Sequence, residues 1–131
     1  MVKREAIEKD ISFLFARKDL LGVLLYGSVI KGEETPRSDI DICLVAPTCM
    51  DKAGLLREVH RSLDVFSKKY DVRIFEELPL YIQIQIIENH EIIYTKDVYE
   101  MFEYFYYFRK LWEDQASRQH VTKEELSAML G

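Results

Sequence analysis

The segment of residues 26–45 constrains the fold of this chain more than any other. An apolar run ends abruptly in Gly27-Ser28, a polar loop follows, and Asp39-Ile40-Asp41 leads into a second apolar run. This order predicts a strand, a tight turn, a loop and a second strand. Because side chains alternate between the two faces of a strand, we expect Asp39 and Asp41 on one face and Ile40 on the other.

Two carboxylates on one strand face, roughly 6–7 Å apart by strand geometry, repel each other unless a cation lies between them. Mg²⁺ suits this role, because it binds one or two protein carboxylates and takes phosphate oxygens and water as its other ligands. The Gly27-Ser28 turn supplies a matching phosphate site: glycine allows close backbone approach, and the turn N–H groups and the Ser28 hydroxyl are donors. The alternative is a solvated hairpin whose acids merely begin a strand. The combined pattern favours the phosphate and metal site.

Gly27-Ser28, ten further residues and then Asp39-x-Asp41 match the signature of the DNA polymerase β-like nucleotidyltransferase superfamily. The chain length and the run SDIDICLV resemble its minimal branch, the MNT proteins, many of which are encoded beside a HEPN-domain partner as toxin–antitoxin pairs. The resemblance covers roughly residues 20–95. It implies an α+β fold (α/β two-layer), with a small mixed β-sheet flanked by helices. It also implies a single nucleotidyltransferase domain over 1–131, with its core at about 20–95 and a C-terminal helical extension at 97–131.

The resemblance further implies a third acid at the start of a strand that follows a long helix. Transferred by position, this residue is Asp71, and Glu76 and Glu77 are the alternatives. The implied catalytic and metal-binding set is Asp39, Asp41 and Asp71, with two Mg²⁺ ions and ATP as substrate.

The implied nucleotide-binding set is Gly27, Ser28, Lys31 and Arg37, since these two basic residues are the nearest to the phosphate turn. For each basic residue singly, a solvated surface charge is an equally good interpretation. Arg73 is expected to pair with a site carboxylate or to touch phosphate.

Composition excludes several classes of protein. The net charge of −5 argues against a general nucleic-acid binder, which needs a basic face for phosphate contacts. Two cysteines, Cys43 and Cys49, are too few for a disulfide scaffold or a zinc site and fit a reducing, cytoplasmic environment. No apolar run reaches the roughly 18 residues that a membrane span needs, and no signal peptide opens the chain, so we expect no membrane association.

Periodicity predicts helices over 3–18, 51–69 and 97–115, a third strand over 70–75, and a fourth strand over 91–94. The stretch 78–89 is ambiguous, because Ile82, Ile84 and Ile86 alternate like a strand, whereas Pro79 suits a first helical turn. We follow the family resemblance and predict a helix. Thr122-x-x-Glu125 predicts a capping box for a separate last helix over 123–130.

The helix over 97–115 is aromatic almost around its circumference between Tyr104 and Phe108. One interpretation is a surface for a partner protein or for oligomerisation. The other is a helix that covers the core with its amphipathic tyrosines pointing outward.

The activity implied by the resemblance is transfer of NMP, AMP from ATP, to an acceptor hydroxyl. The acceptor is expected to be a tyrosine of a HEPN toxin, which the chain neutralises as its antitoxin. A second hypothesis is a non-catalytic module that binds a nucleotide, or neutralises a HEPN partner by contact. Transfer to an aminoglycoside-like small molecule is a weaker third, because no second domain is present to form its pocket.

Overall fold

The computed structural model describes residues 4–27, 40–63 and 70–130, with side chains through residue 115. In chain order, the helices are α1 (Arg4–Ile11), α2 (Lys52–Ser62), α3 (Leu80–Glu88) and α4 (Val98–Leu130), and short 3₁₀ turns lie at Ser12–Leu14 and Phe75–Glu77. The strands are β1 (Gly22–Tyr26), β2 (Ile40–Val45), β3 (Tyr70–Ile74) and β4 (Glu91–Thr95).

The described strands form one mixed sheet in the order β3-β2-β1-β4. Strand β1 is antiparallel to both β2 and β4, whereas β2 and β3 are parallel. The end of β1 and the beginnings of β2 and β3 therefore meet at the same edge of the sheet.

Helices cover both faces of the sheet, because alternate strand residues enter different apolar clusters. On one face, Leu25 and Leu44 pack with residues of α1 and α2, including Ile7 and Val59. The hydroxyl of Tyr70 also reaches α1, where it donates to Asp10 Oδ2 at 2.7 Å.

On the other face, Leu24 and Cys43 pack with α3 and α4, whose most deeply buried residues include Ile86 and Phe105. The predicted α+β class and the mixed sheet flanked by helices are confirmed. The sheet is the middle of three layers, since helices lie on both of its faces.

The first two helices are shorter than periodicity predicts. Helix α1 gives way to a 3₁₀ turn at Ser12, whose hydroxyl donates to the Lys9 carbonyl at 2.9 Å and so competes with the regular helical pattern. Helix α2 begins as expected, because the Asp51 side chain accepts from the Gly54 N–H at 2.9 Å. It ends at Ser62, since Leu63 has an extended backbone and a buried side chain, and residues 64–69 lie outside the described ranges.

The ambiguous stretch is helical, as predicted, and forms α3 after Pro79. The strand-like alternation was misleading because a wide arc of this helix is buried: Gln83, Ile84, Ile86 and Ile87 are all inside. The buried Gln83 is paired, since its Nε2 donates to the Phe75 carbonyl at 2.9 Å.

The C-terminal region is one helix, so the prediction of a separate last helix with a capping box at Thr122 is wrong. The sequence from Val98 to Leu130 contains neither glycine nor proline, and nothing in it forces a break. The helix begins at Val98 and is capped by the preceding Asp97, whose Oδ1 accepts from the N–H groups of Tyr99 and Glu100 at 3.0 and 3.2 Å.

Cys43 and Cys49 are both buried, and they are not bonded to each other. Across the ranges 4–27, 40–63 and 70–130, no helix combines the length and the apolar character required to cross a membrane.

Candidate active site

Two of the predicted acids lie side by side. Asp41 and Asp71 are register partners on the parallel strands β2 and β3, and each is the second residue of its strand. Neighbouring strands lie about 4.8 Å apart, and register partners project to the same face. The two carboxylates therefore converge at one edge of the sheet, on the face that carries α3 and α4.

A cavity of about 390 Å³ opens at these acids. One wall is the sheet edge with Tyr26, Asp41, Asp71 and Arg73. The other consists of Leu78 and Pro79, which lead into α3, and of Tyr81 and Ile82 in its first turn. The cavity thus combines charged groups on the strands with an apolar and aromatic wall on the helix, which is typical of a small-molecule site.

Gly27 is fitted tightly against Asp41. Its φ of +78° lies in the left-handed region that glycine tolerates. A Cβ at this position would lie 2.2 Å from Asp41 Oδ2, far inside van der Waals contact. The turn after β1 therefore requires glycine both for its backbone conformation and for space beside the site carboxylate.

Arg73 is paired with a site carboxylate, which is one of the two roles expected from the sequence. Its Nη2 lies 3.5 Å from Asp71 Oδ2, and both side chains are partly open to solvent. The cation offsets part of the repulsion between the neighbouring acids and remains within reach of a ligand in the cavity.

Sequence reasoning missed Tyr26. This half-buried residue ends β1 and is the register partner of Asp41. Burial raises the pKa of the Tyr26 phenol well above its usual value, and Cys43, Asp41 and Asp71 add to this rise. The phenol therefore stays neutral beside the acids. In the sequence, the one indication that Tyr26 lies near the acids is its position directly before the Gly27-Ser28 turn.

The two alternative third acids lie elsewhere. The Glu76 carboxylate accepts from the Ala46 N–H at 3.0 Å and from the Tyr104 hydroxyl at 2.8 Å, so it joins the end of β2 to α4. Glu77 is exposed in the 3₁₀ turn beyond β3. Of the three acids, only Asp71 is the register partner of Asp41.

The other predicted site residues, Ser28, Lys31, Arg37 and Asp39, lie outside the described residues. Within the described part of the chain, no group of three or more His, Cys, Asp and Glu side chains could hold a metal ion. Asp41 and Asp71 contribute two hard oxygen donors, and the third predicted donor, Asp39, precedes β2 by one residue.

Comparison with known proteins gives consistent results at three levels. The family model described as "Polymerase beta, Nucleotidyltransferase" matches residues 8–99. The protein named "Putative protein adenylyltransferase MJ1547" of Methanocaldococcus jannaschii is 49% identical over 102 residues, which are 76% of this chain and 75% of that protein.

Solved structures with low sequence identity share the fold. A chain of the crystal structure of a toxin–antitoxin with AMP-PNP superposes with a TM-score of 0.70 at 17% identity, covering 95% of this chain and 99% of that one. A chain of the tri-AMPylated Shewanella oneidensis HEPN toxin in complex with MNT antitoxin gives a TM-score of 0.65 at 16% identity, with coverage of 95% and 99%.

Proposed function

This chain belongs to the polymerase β nucleotidyltransferase family, and from that premise we propose that it transfers AMP from ATP to a hydroxyl of an acceptor protein in an Mg²⁺-dependent reaction. One observation carries the proposal: Asp41 and Asp71 are neighbours in register at the mouth of a cavity large enough for part of a nucleotide. Catalysis at such a site depends on positioning and on neutralising charge, which is what paired carboxylates and a hard cation provide.

The donor set fits Mg²⁺. Asp41 and Asp71 present carboxylate oxygens from adjacent strands, and in the proposal Asp39 adds a third carboxylate from the residue before β2. When bound, Mg²⁺ neutralises the phosphates and lowers the pKa of the acceptor hydroxyl.

Different residues of the chain act on the nucleotide and on the acceptor. In the proposal, the Gly27-Ser28 backbone and the Ser28 hydroxyl bind the triphosphate, with Lys31 and Arg37 as cations near it. The acceptor oxygen forms a bond to the α-phosphorus, the bond from that phosphorus to the bridging oxygen breaks, and pyrophosphate leaves. Asp71 takes the proton of the acceptor hydroxyl, with Arg73 holding its carboxylate in place.

We propose further that the acceptor is a tyrosine of a HEPN-domain toxin and that the chain acts as its antitoxin in the cytoplasm. The name of the archaeal relative supports an acceptor that is a protein. A HEPN partner is supported by the toxin–antitoxin assemblies that contain a chain of the same fold. In one of these assemblies the HEPN toxin carries AMP groups.

The test uses the purified chain, ATP, Mg²⁺ and the product of the adjacent gene. We expect the partner to gain the mass of one or more AMP groups, and we expect EDTA or Asp41→Asn to prevent the gain. Glu88→Gln, an exposed change on α3 away from the acids, is the matched control and should transfer normally. Absence of any adenylylated product with the wild-type chain would overturn the proposal.

A second candidate function is neutralisation by contact alone. The observation that favours it is the exposure of Tyr99, Phe102, Tyr106 and Tyr107 on α4, at 80, 49, 58 and 59%. Exposed aromatic residues are typical of partner surfaces. The two functions differ in one result: if a variant with Asp39, Asp41 and Asp71 all changed to Ala still neutralises the toxin, then binding suffices.

A further inference from the structure

A second cavity of about 240 Å³ adjoins the one that contains the acids. The two share Tyr26 and Ile82 as lining residues, so they lie next to each other. The residues that line the second cavity are Tyr26, Gly27, Ile82, Gln85, Ile86 and Asn89. It therefore starts at the glycine of the proposed phosphate turn, on the side away from Asp71.

The wall that α3 contributes is a single helical stripe. Residues 82, 85, 86 and 89 have the spacing i, i+3, i+4 and i+7, which places them on one face. Ile86 is fully buried and Ile82 partly so, whereas Gln85 and Asn89 are exposed at the rim. The wall thus has an apolar floor and a rim with two carboxamides.

These carboxamides have no structural task in the described part of the chain. Neither Gln85 nor Asn89 makes a side-chain hydrogen bond there, in contrast to Gln83 on the same helix, which is bound to the Phe75 carbonyl. Asn89 is nevertheless fixed in position, because its N–H donates to the Gln85 carbonyl at 3.0 Å at the end of the helix.

From these observations we infer that the second cavity is the base subsite of the nucleotide, and that Gln85 and Asn89 select adenine over guanine. The inference rests on the proposed function, because it takes a nucleoside triphosphate as the ligand. The isoleucine floor and the neighbouring Tyr26 ring form an apolar surface on which a flat purine can pack. Whole ligand pockets have volumes of roughly 300–1,000 Å³, so the smaller second cavity suits one part of a ligand.

The selectivity follows from the pattern of donors and acceptors. A carboxamide has one donor group and one acceptor, and adenine presents the complement in its N6 amino group and N7. Guanine presents two acceptors at the corresponding positions, so the carboxamide oxygen would face another oxygen. Each well-made pair of this kind discriminates by roughly tenfold or more.

The experiment measures equilibrium binding of ATP and of GTP in Mg²⁺ by calorimetry, which needs no acceptor protein. We expect the wild-type chain to bind ATP at least about tenfold more tightly than GTP. Gln85→Met and Asn89→Ala should each weaken ATP binding several-fold without weakening GTP binding, so that the preference for ATP shrinks. Gln85→Met keeps the length and packing of the side chain, so its effect reports the lost hydrogen bonds.

Glu88→Ala is the matched control, since Glu88 is exposed on the same helix and does not line the cavity. Equal affinity for the two nucleotides, binding of neither, or ATP affinity that both variants leave unchanged would overturn the inference. Failure of the proposed function has a different signature: selective ATP binding would persist while no acceptor gains AMP.

Discussion

At the scale of single residues, the candidate site is defined by a few groups in close contact. Gly27 is the clearest case, because the space that its missing Cβ leaves is filled by the Asp41 carboxylate. Asp41 and Asp71 face the same way because strand register places them so, and Arg73 offsets part of their charge. The role of each of these residues follows from the atoms that it contacts, so each role can be tested by a single substitution.

Gly27→Ala should lower both stability and transfer. The left-handed backbone costs a non-glycine residue roughly 1–2 kcal/mol, and the new Cβ forces the Asp41 carboxylate to move. We expect chemical denaturation to show a loss of about 1–3 kcal/mol and AMP transfer to fall in parallel. Gly54→Ala is the contrasting variant, since its backbone is helical and the carboxylate that its Cβ would crowd, that of Asp51, caps α2 on the other face of the sheet. An equal loss of AMP transfer by both variants would refute this explanation.

At the scale of secondary-structure elements, α4 is held against the sheet by a polar contact as well as by its apolar residues. Glu76 accepts one hydrogen bond from the backbone after β2 and another from Tyr104 on α4. Burial, followed by the bond to Glu76, raises the pKa of the Tyr104 phenol. The contact therefore uses a neutral phenol as the donor and a carboxylate as the acceptor, which is a strong combination.

Tyr104→Phe should destabilise the protein by about 1.5–3 kcal/mol, the range for a hydrogen bond to a charged group. Thermal unfolding is the measurement, and Tyr99→Phe on the exposed face of the same helix should have almost no effect. Combining Tyr104→Phe with Glu76→Gln tests the partner directly, because the two losses should be less than additive. Additive losses would mean that the two residues act independently.

The elements also show which features the sequence could predict. The strands and the Gly27 turn follow from local apolar runs and a turn residue, so they were predictable. Periodicity alone did not predict the end of α1 at Ile11, because that end depends on the hydrogen bond from the Ser12 hydroxyl to the Lys9 carbonyl. It did not identify α3 as a helix either, because that helix is buried over a wide arc. The pairing of Asp41 with Asp71 is a contact between distant segments, and only the family resemblance anticipated it.

At the scale of the whole molecule, two apolar clusters on opposite faces of one sheet hold the fold together. The phenols of the buried Tyr70 and the partly buried Tyr104 link the two clusters to polar groups: Tyr70 bonds to Asp10 on one face and Tyr104 bonds to Glu76 on the other. Burial is the main reason that the pKa values of Tyr26, Tyr70 and Tyr104 are all raised. The free energy of unfolding should therefore depend on pH in the alkaline range, where tyrosine phenols ionise.

The stability of the protein should therefore fall as the solution becomes strongly alkaline. A phenol whose pKa is higher in the folded than in the unfolded state contributes stability below the unfolded value of about 10, and this contribution is lost as the pH rises towards the folded value. Urea unfolding at pH 8, 10 and 11 measures the decline. Changing Tyr70 and Tyr104 together to Phe should lower stability at pH 8 and make the decline shallower; an unchanged slope would contradict the role of these phenols.

The most direct test of the central claim is the Mg²⁺-dependent rate of AMP transfer to the acceptor protein by Asp71→Asn, measured beside the wild-type chain. Glu77→Gln is the control, because it removes a nearby exposed acid that does not pair in register with Asp41. Loss of several kcal/mol of charge stabilisation in the transition state predicts a fall of about 100-fold or more for Asp71→Asn, with unchanged thermal unfolding and normal transfer by the control. Wild-type rates from Asp71→Asn would contradict the assignment of the site.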